Sequence, residues 1–230
     1  MDDLIEQQIL RLQTKLQKLT KIGYRPRWQG SDLRIRTPVT EHEVTKLESL
    51  HRITLPSDYR AFMTRVSDGL AAVLPLRESF RKEEEGRLKT PFPFTEPYNP
   101  LQDPKVRAFH KGQEEAVRKG EISQDEADVE DSLREHRETT GTLIITENPD
   151  NLLVVLGPSK GQIWWNGTGE DQGYVPLGIG FLDLVESYID DERFFLNRPA
   201  DPRPWWKRML RPRPVRIRRH SKLEDESEPE

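Results

Sequence analysis

The residues able to do chemistry are few, and their spacing does not bring them together. His42-Glu43-Val44-Thr45-Lys46 begins like a zinc-protease helix, but Lys46 stands where the second imidazole of an i, i+4 ligand pair is needed. The five His residues, at 42, 51, 110, 136 and 220, lie far apart and point to neither a metal nor a general base. Cys is absent, which removes disulfides, thiolate nucleophiles and Cys–zinc sites together and fits a reducing compartment. The stretch Gly167-Thr168-Gly169-Glu170-Asp171-Gln172-Gly173 is one residue off the dinucleotide fingerprint. It leaves a strand of a meander instead of opening a βαβ unit, so it reads as a hairpin loop. No P-loop and no G-x-S-x-G is present, and Asp190 and Asp191 read as solvated helix-end charges. With no nucleophile, base and orienter in sight, the expectation is a protein without catalysis, metal or cofactor.

Two stretches suggest binding instead. Trp164 and Trp165 are neighbours on a strand and must face opposite ways. One can be core. The other is covered by further helices or lies outside beside Glu170 and Asp171, where it offers a contact to a basic partner. The second stretch is Trp205-Trp206-Lys207-Arg208, set in a Pro- and Arg-rich tail. Basic residues interleaved with Trp suit phosphate contact and stacking on nucleic acid, or an anionic membrane surface. The alternative is a disordered charged extension whose Trp pair folds back on the body.

Charge separates these stretches. The formal net charge is −4, but residues 198–230 hold 10 Lys and Arg against 6 Asp and Glu, while residues 1–197 hold 26 against 34. An acidic body of net −8 therefore carries a basic tail of net +4. Apolar and charged residues each make up 33% of the chain, so part of it is expected to lie outside any core. The acidic start Met1-Asp2-Asp3 is followed by no apolar run of about 7–15 residues, so no signal peptide is expected. No run approaches the roughly 20 apolar residues of a membrane span. A cytoplasmic location is the expectation.

The elements that would position these residues follow from periodicity. Ile5, Ile9, Leu12, Leu16 and Leu19 form a 4-3-4-3 seam, either a terminal helix docked on the body or a short dimerising coiled coil ended by Gly23 and Pro26. Residues 28–36 read as a loop with one short strand. Thr40 and Glu43 make a capping-box pattern, with Val39 and Val44 as a hydrophobic staple. Val44, Leu47 and either Leu50 or His51 should face inward. Pro56 opens a second helix over 57–68, whose Tyr59, Phe62, Met63 and Val66 share one face. Arg60, Arg65 and Ser67 fall on the other face, and Gly69 should close the helix in a left-handed conformation. Ala71 to Leu76 reads as the first core strand. Residues 81–104 read as an extended segment anchored by Phe92, Phe94 and Tyr98, followed by polar helices at 104–119 and 123–138, the second with Ser123 and Glu126 as its cap. Strands at 142–146, 152–156 and 162–166, with turns at 148–151 and 157–161, make an antiparallel meander. Phe181, Leu184, Val185, Tyr188 and Ile189 mark a closing amphipathic helix that should pack on the same sheet face as the helix at 57–68.

The fold class is therefore α+β, helices on a mainly antiparallel sheet. It divides into an N-terminal helix (1–24), an α+β domain (25–197, with an insertion at 81–140) and a largely disordered tail (198–230).

The order T-E-H-E-V-T-K-L-E-S-L at 40–50, L-P-S-D-Y-R-A-F-M at 55–63, Asp68-Gly69, a meander ending in Ile163-Trp164-Trp165 and the helix from Phe181 resembles the SUKH superfamily. That superfamily takes in fungal cell-wall-synthesis regulators of the Smi/Knr type and many bacterial immunity proteins. Glu43-Val44, Leu47-Glu48, Leu55-Pro56, Tyr59, Phe62 and Asp68-Gly69 match its pattern position by position, with Trp165 as the strand aromatic. The likeness covers about 38–80 and 140–190. The N-terminal seam, the length of 81–140 and the basic tail depart from it. The resemblance implies an α+β fold, no catalysis and a binding role, most often neutralising a toxin domain such as a nuclease. A regulatory scaffold like the fungal relatives, and a nucleic-acid-associated protein acting through its tail, are the rival expectations.

Overall fold

In the computed structural model, residues 2–21, 27–28, 31–32, 35–70, 73–81, 86–146, 151–170 and 172–197 are described, without the side chains of 2, 27–28, 31–32, 81, 170 and 191–197. The chain divides into two units, Met1–Asn197 and Arg198–Glu230, and everything below concerns the first. Gly23, Pro26, most of the turn at 148–151, Asp171 and Trp205, Trp206, Lys207 and Arg208 lie outside the described residues.

The fold is α+β. Its sheet is an antiparallel meander of β3 (Thr142–Ile144), β4 (Asn151–Val154), β5 (Ile163–Gly167) and β6 (Gly173–Pro176), in the order β3-β4-β5-β6. A two-stranded hairpin, β1 (Arg27–Trp28) with β2 (Ser31–Asp32), stands apart from it. Alternation along the strands gives the sheet two covered faces. Leu143, Ile145, Leu153, Val155 and Ile163 enter the main core, while Leu152, Val154, Trp164 and Tyr174 enter a second cluster on the other side.

The main core is closed by helices. α1 (Asp2–Lys21) buries Ile9, Leu12, Leu16 and Leu19 in it, with Ile5 half-buried. The heptad seam is thus taken up within the chain. Lys15 holds Asp190 at 2.8 Å and shares Glu186 with Arg11, and this charged edge ties α1 to α7 (Phe181–Asn197). α2 (Glu41–His51) starts as its capping box requires: the Thr40 hydroxyl accepts the Glu43 N–H at 3.2 Å, and Glu43 accepts the Thr40 N–H at 3.0 Å. Thr40→Ala should cost about 1 kcal/mol in chemical denaturation. A cost near zero would mean that the staple of Val39 and Val44 holds this end alone. His51, not Leu50, turns inward and lies against Phe80 at 4.8 Å, whereas Leu50 is 71% exposed.

α3 (Ser57–Arg65) buries Tyr59, Phe62 and Met63, and Val66 follows them into the core. Phe181 at the start of α7 meets Tyr59 edge-on at 4.7 Å and Phe62 at 5.4 Å, so both helices share one sheet face as expected. Two details differ from expectation. The helix ends at Arg65, three residues short, so the helical wheel does not apply to Ser67. Ser67 is fully buried, accepting the Arg36 N–H at 2.9 Å and donating to the Gly69 carbonyl. Gly69 is left-handed (φ 87°), but its need comes from the next turn: a Cβ there would lie 2.8 Å from the Val73 carbonyl and 2.9 Å from the Pro75 nitrogen. Of the first core strand expected at 71–76, residues 71–72 lie outside the described residues, and 73–75 form no continuous strand. Val73 makes isolated bridges to Leu70 and to Thr146 just past β3, the Leu74 N–H bonds the Ile145 carbonyl at 2.9 Å, and Leu76 already starts α4 (Leu76–Arg81).

The other sheet face is covered by a strap, residues 91–99. The Phe92 N–H bonds the Leu156 carbonyl at 3.0 Å, and Tyr98 exchanges backbone bonds with Tyr174 at 3.0 and 2.7 Å, which extends the sheet beyond β6. Phe92 lies edge-on to Trp164 at 5.0 Å, and Phe94 stacks between Tyr98 and Tyr174 at 4.4 and 5.3 Å. Then come α5 (Pro104–Lys119), capped by Asp103, and α6 (Gln124–Glu138), capped by the expected box of Ser123 and Glu126.

Candidate partner-binding surface

The residues that carry the family likeness are taken up by the fold. Glu48 accepts the Leu55 N–H at 2.7 Å and holds Arg60 at 2.5 Å, which fixes the corner between α2 and α3. Asp68 accepts the Leu76 N–H at 2.7 Å and starts α4. Glu43 caps α2 and reaches Arg77 at 2.8 Å. Leu55, Pro56, Tyr59 and Phe62 are buried, and Leu47 is half-buried against the core. Asp58, between them, accepts the Tyr59 N–H at 2.8 Å and, across the chain, the Phe181 N–H at 2.9 Å, so it starts α7. Burial raises the Asp58 carboxyl above its ordinary range against the pull of these two bonds.

Trp164 does not form a surface contact. It is fully buried beneath Phe92, so that expectation is corrected. Trp165 is 6% exposed, and its ring folds along its own strand over Gly167, where a Cβ would lie 2.6 Å from the ring. Glu170 ends the short turn Thr168–Glu170 that joins β5 to β6. The covering comes from the strap, far upstream, and nothing local in the strand announces it.

The histidines stay dispersed. His42 is exposed on α2, His51 packs on Phe80, and His110 lies 3.8 Å from Asp131. Among the described residues no three His, Asp or Glu converge as a metal site. No helix among them is long and apolar enough to cross a membrane.

What stands out is the pair α5 and α6. α5 carries five Lys and Arg against two Glu, and α6 carries seven Asp and Glu against two Arg. The helices touch through Gln113, which donates to the Ala127 carbonyl at 3.2 Å and to Glu130 at 3.0 Å. A hollow of about 630 Å³ runs along the pair, with Arg107, His110 and Lys111 on one side and Asp128 and Asp131 on the other. Only Val106 of α5 and Ala127 and Glu138 of α6 are buried. The outward side of α6 shows Val129 at 59% and Leu133 at 56% exposure, one turn apart, with Asp125, Asp128 and Glu135 exposed around them. Two exposed apolar side chains thus lie among carboxylates on this side of the helix.

The foot of α6 is anchored firmly. Arg134 holds Asp131 at 2.8 Å and Glu138 at 2.5 Å, and the Glu138 carboxylate is buried beside the Tyr174 hydroxyl. Burial raises the Glu138 carboxyl against the pull of Arg134, and raises Tyr174 as well. Burial and the bond to Asp103 push Tyr98 up to about 12. The buried Arg87 donates to the Thr139 carbonyl at 2.9 Å and to the Thr142 hydroxyl at 3.2 Å, so it joins the end of α6 to β3. No sequence signal marked Arg87, because a lone Arg in a charged segment reads as solvated.

Compared with known proteins, the chain matches no family profile, no curated protein and no solved structure.

Proposed function

We propose that this chain is a non-catalytic protein-binding module of the SUKH type, and specifically an immunity protein that occludes a basic toxin domain such as a nuclease. The observation that carries the reading is the outward side of α6, where Val129 and Leu133 sit exposed among carboxylates on a body of net −8. A nuclease must present a positive groove to its substrate, and an acidic face with a small apolar centre complements such a groove. The likeness over about 38–80 and 140–190 supports the same reading, and the use of its polar residues in helix caps and corners fits a scaffold that leaves its surface free to specialise. Charge complementarity of this kind speeds encounter more than it deepens affinity.

The test is co-purification with the product of a toxin gene adjacent to this one, at about 0.15 M salt. Absence of a complex with the full chain would count against the reading. If a complex forms, Val129→Lys with Leu133→Lys should weaken it by about tenfold or more, with circular dichroism and melting unchanged, since both side chains point to solvent. Undiminished binding by that variant would move the interface elsewhere while leaving the immunity reading intact. The α5–α6 pair goes beyond the family pattern and also suits a regulatory scaffold that binds cellular proteins. A genome neighbourhood without a toxin gene favours that second reading.

A further inference from the structure

A second hollow, of about 540 Å³, lies where the end of α2 meets the loop between β4 and β5, away from the acidic face of α6. Its α2 side is made by Thr45, Glu48, Ser49 and Arg52, which recur at i, i+3, i+4 and i+7 on one stripe of the helix and its cap. Ile53 and Thr54 continue that wall, and Leu156 and Lys160 form the other. In an acidic body of net −8, two basic residues from distant parts of the chain line one space. Neither Arg52 nor Lys160 pairs with a carboxylate among the described residues.

Arg52 also sits where its type is disfavoured. It is the C-cap of α2 with φ 55°, the one left-handed residue other than Gly among the described residues. Gly or Asn is the ordinary occupant of such a position, because a side chain there strains the backbone. An observed outlier of this kind is a reason to look for a function of the side chain that is kept.

Two features oppose an anion here. The end of α2 carries partial negative charge, and Glu48 lines the wall. Both are answered locally: the Glu48 oxygens are already engaged by the Leu55 N–H and Arg60, and the Arg52 guanidinium stands at the helix end. What remains for a ligand is Arg52 and Lys160, neither held by a carboxylate among the described residues, and the hydroxyls of Ser49 and Thr54, the Thr45 hydroxyl already accepting from Arg60 at 3.3 Å. A guanidinium fork, an ammonium and hydroxyl donors together are the recognition set of a phosphate group, which offers several acceptor oxygens at once.

We propose that this hollow binds a phosphate group, independently of the protein interface on α6. The test is a titration of the labelled full chain with inorganic phosphate at constant ionic strength, followed by amide NMR shifts. Saturable shifts confined to 45–54 and 156–161 are expected. Arg52→Gly relieves the left-handed strain, so it should leave the melting temperature equal or higher while weakening binding about tenfold. Lys160→Ala should do the same without the gain in stability, and the double variant should lose saturable binding. A parallel titration with O-phosphoserine distinguishes the source: equal affinity assigns free phosphate, and tighter binding assigns a phosphate borne on an organic group. Shifts that rise linearly without saturation, or saturable shifts that persist in the double variant, overturn the assignment.

Discussion

Phe181→Ala should destabilise the fold by about 3–5 kcal/mol, the range for emptying a buried aromatic site. Phe181 is wholly buried, and its ring is the meeting point of two helices, edge-on to Tyr59 at 4.7 Å and to Phe62 at 5.4 Å. Its backbone is fixed as well, since its N–H is held by the Asp58 carboxylate at 2.9 Å. The site therefore cannot collapse easily around a smaller side chain, which places the cost toward the upper end of the range. A loss of that size is a large fraction of the 5–15 kcal/mol typical of a whole domain. Urea denaturation of the variant measures it. A cost below about 1 kcal/mol would show that α7 does not depend on the α3 stripe and that the core is held by other contacts.

The second large effect is expected on the opposite sheet face. Gly173 has φ 72°, and a Cβ there would lie 2.3 Å from the Tyr98 carbonyl and 2.5 Å from the Asn99 Cα. Gly173→Ala thus adds left-handed strain to a collision with backbone that cannot rotate away, for roughly 3 kcal/mol or more together. The strap should lift from β6, with faster hydrogen exchange at the Tyr98 and Tyr174 amides, which now bond each other's carbonyls. Gly120→Ala supplies the control. Gly120 has nearly the same φ, 71°, but nothing lies within 4 Å of its added Cβ, so it carries the strain without the collision. The difference between the two variants isolates the contact; equal costs would mean that the strap does not need the close approach. Gly141, where a Cβ would meet the Phe92 nitrogen at 2.4 Å, secures the strap's other end in the same way.

Much of this architecture can be read from the chain, and the failures have physical causes. The capping boxes at Thr40 and Ser123 and the stripes on α1, α3 and α7 are local patterns whose period states the conformation, and each stands where that period puts it. Ser67 misleads because it lies past the end of α3 at Arg65, where the period no longer holds. The apolar run to Leu76 misleads because a short apolar stretch suits a strand or a buried turn equally, and only the bridges of Val73 to Leu70 and Thr146 and the start of α4 at Leu76 resolve it. Trp164 misleads because its cover, Phe92, arrives from a segment whose Pro-rich composition gives no hint of which strand it will meet. The exposed pair on α6 is visible in the sequence only as two apolar residues in an acidic helix. Nothing in the chain says whether such a pair turns in or out until the packing of Ala127 and Glu138 is known.

The docking of α1 on α7 has a consequence for how the protein is made. During synthesis α1 waits for a partner 175 residues behind it, as the Arg11–Glu186 pair shows. At roughly 5–20 residues per second, that is about 10–35 s during which Ile9, Leu12, Leu16 and Leu19 lack the α7 side of their core. Its yield should therefore depend on chaperones that shelter nascent chains more than its final stability would suggest.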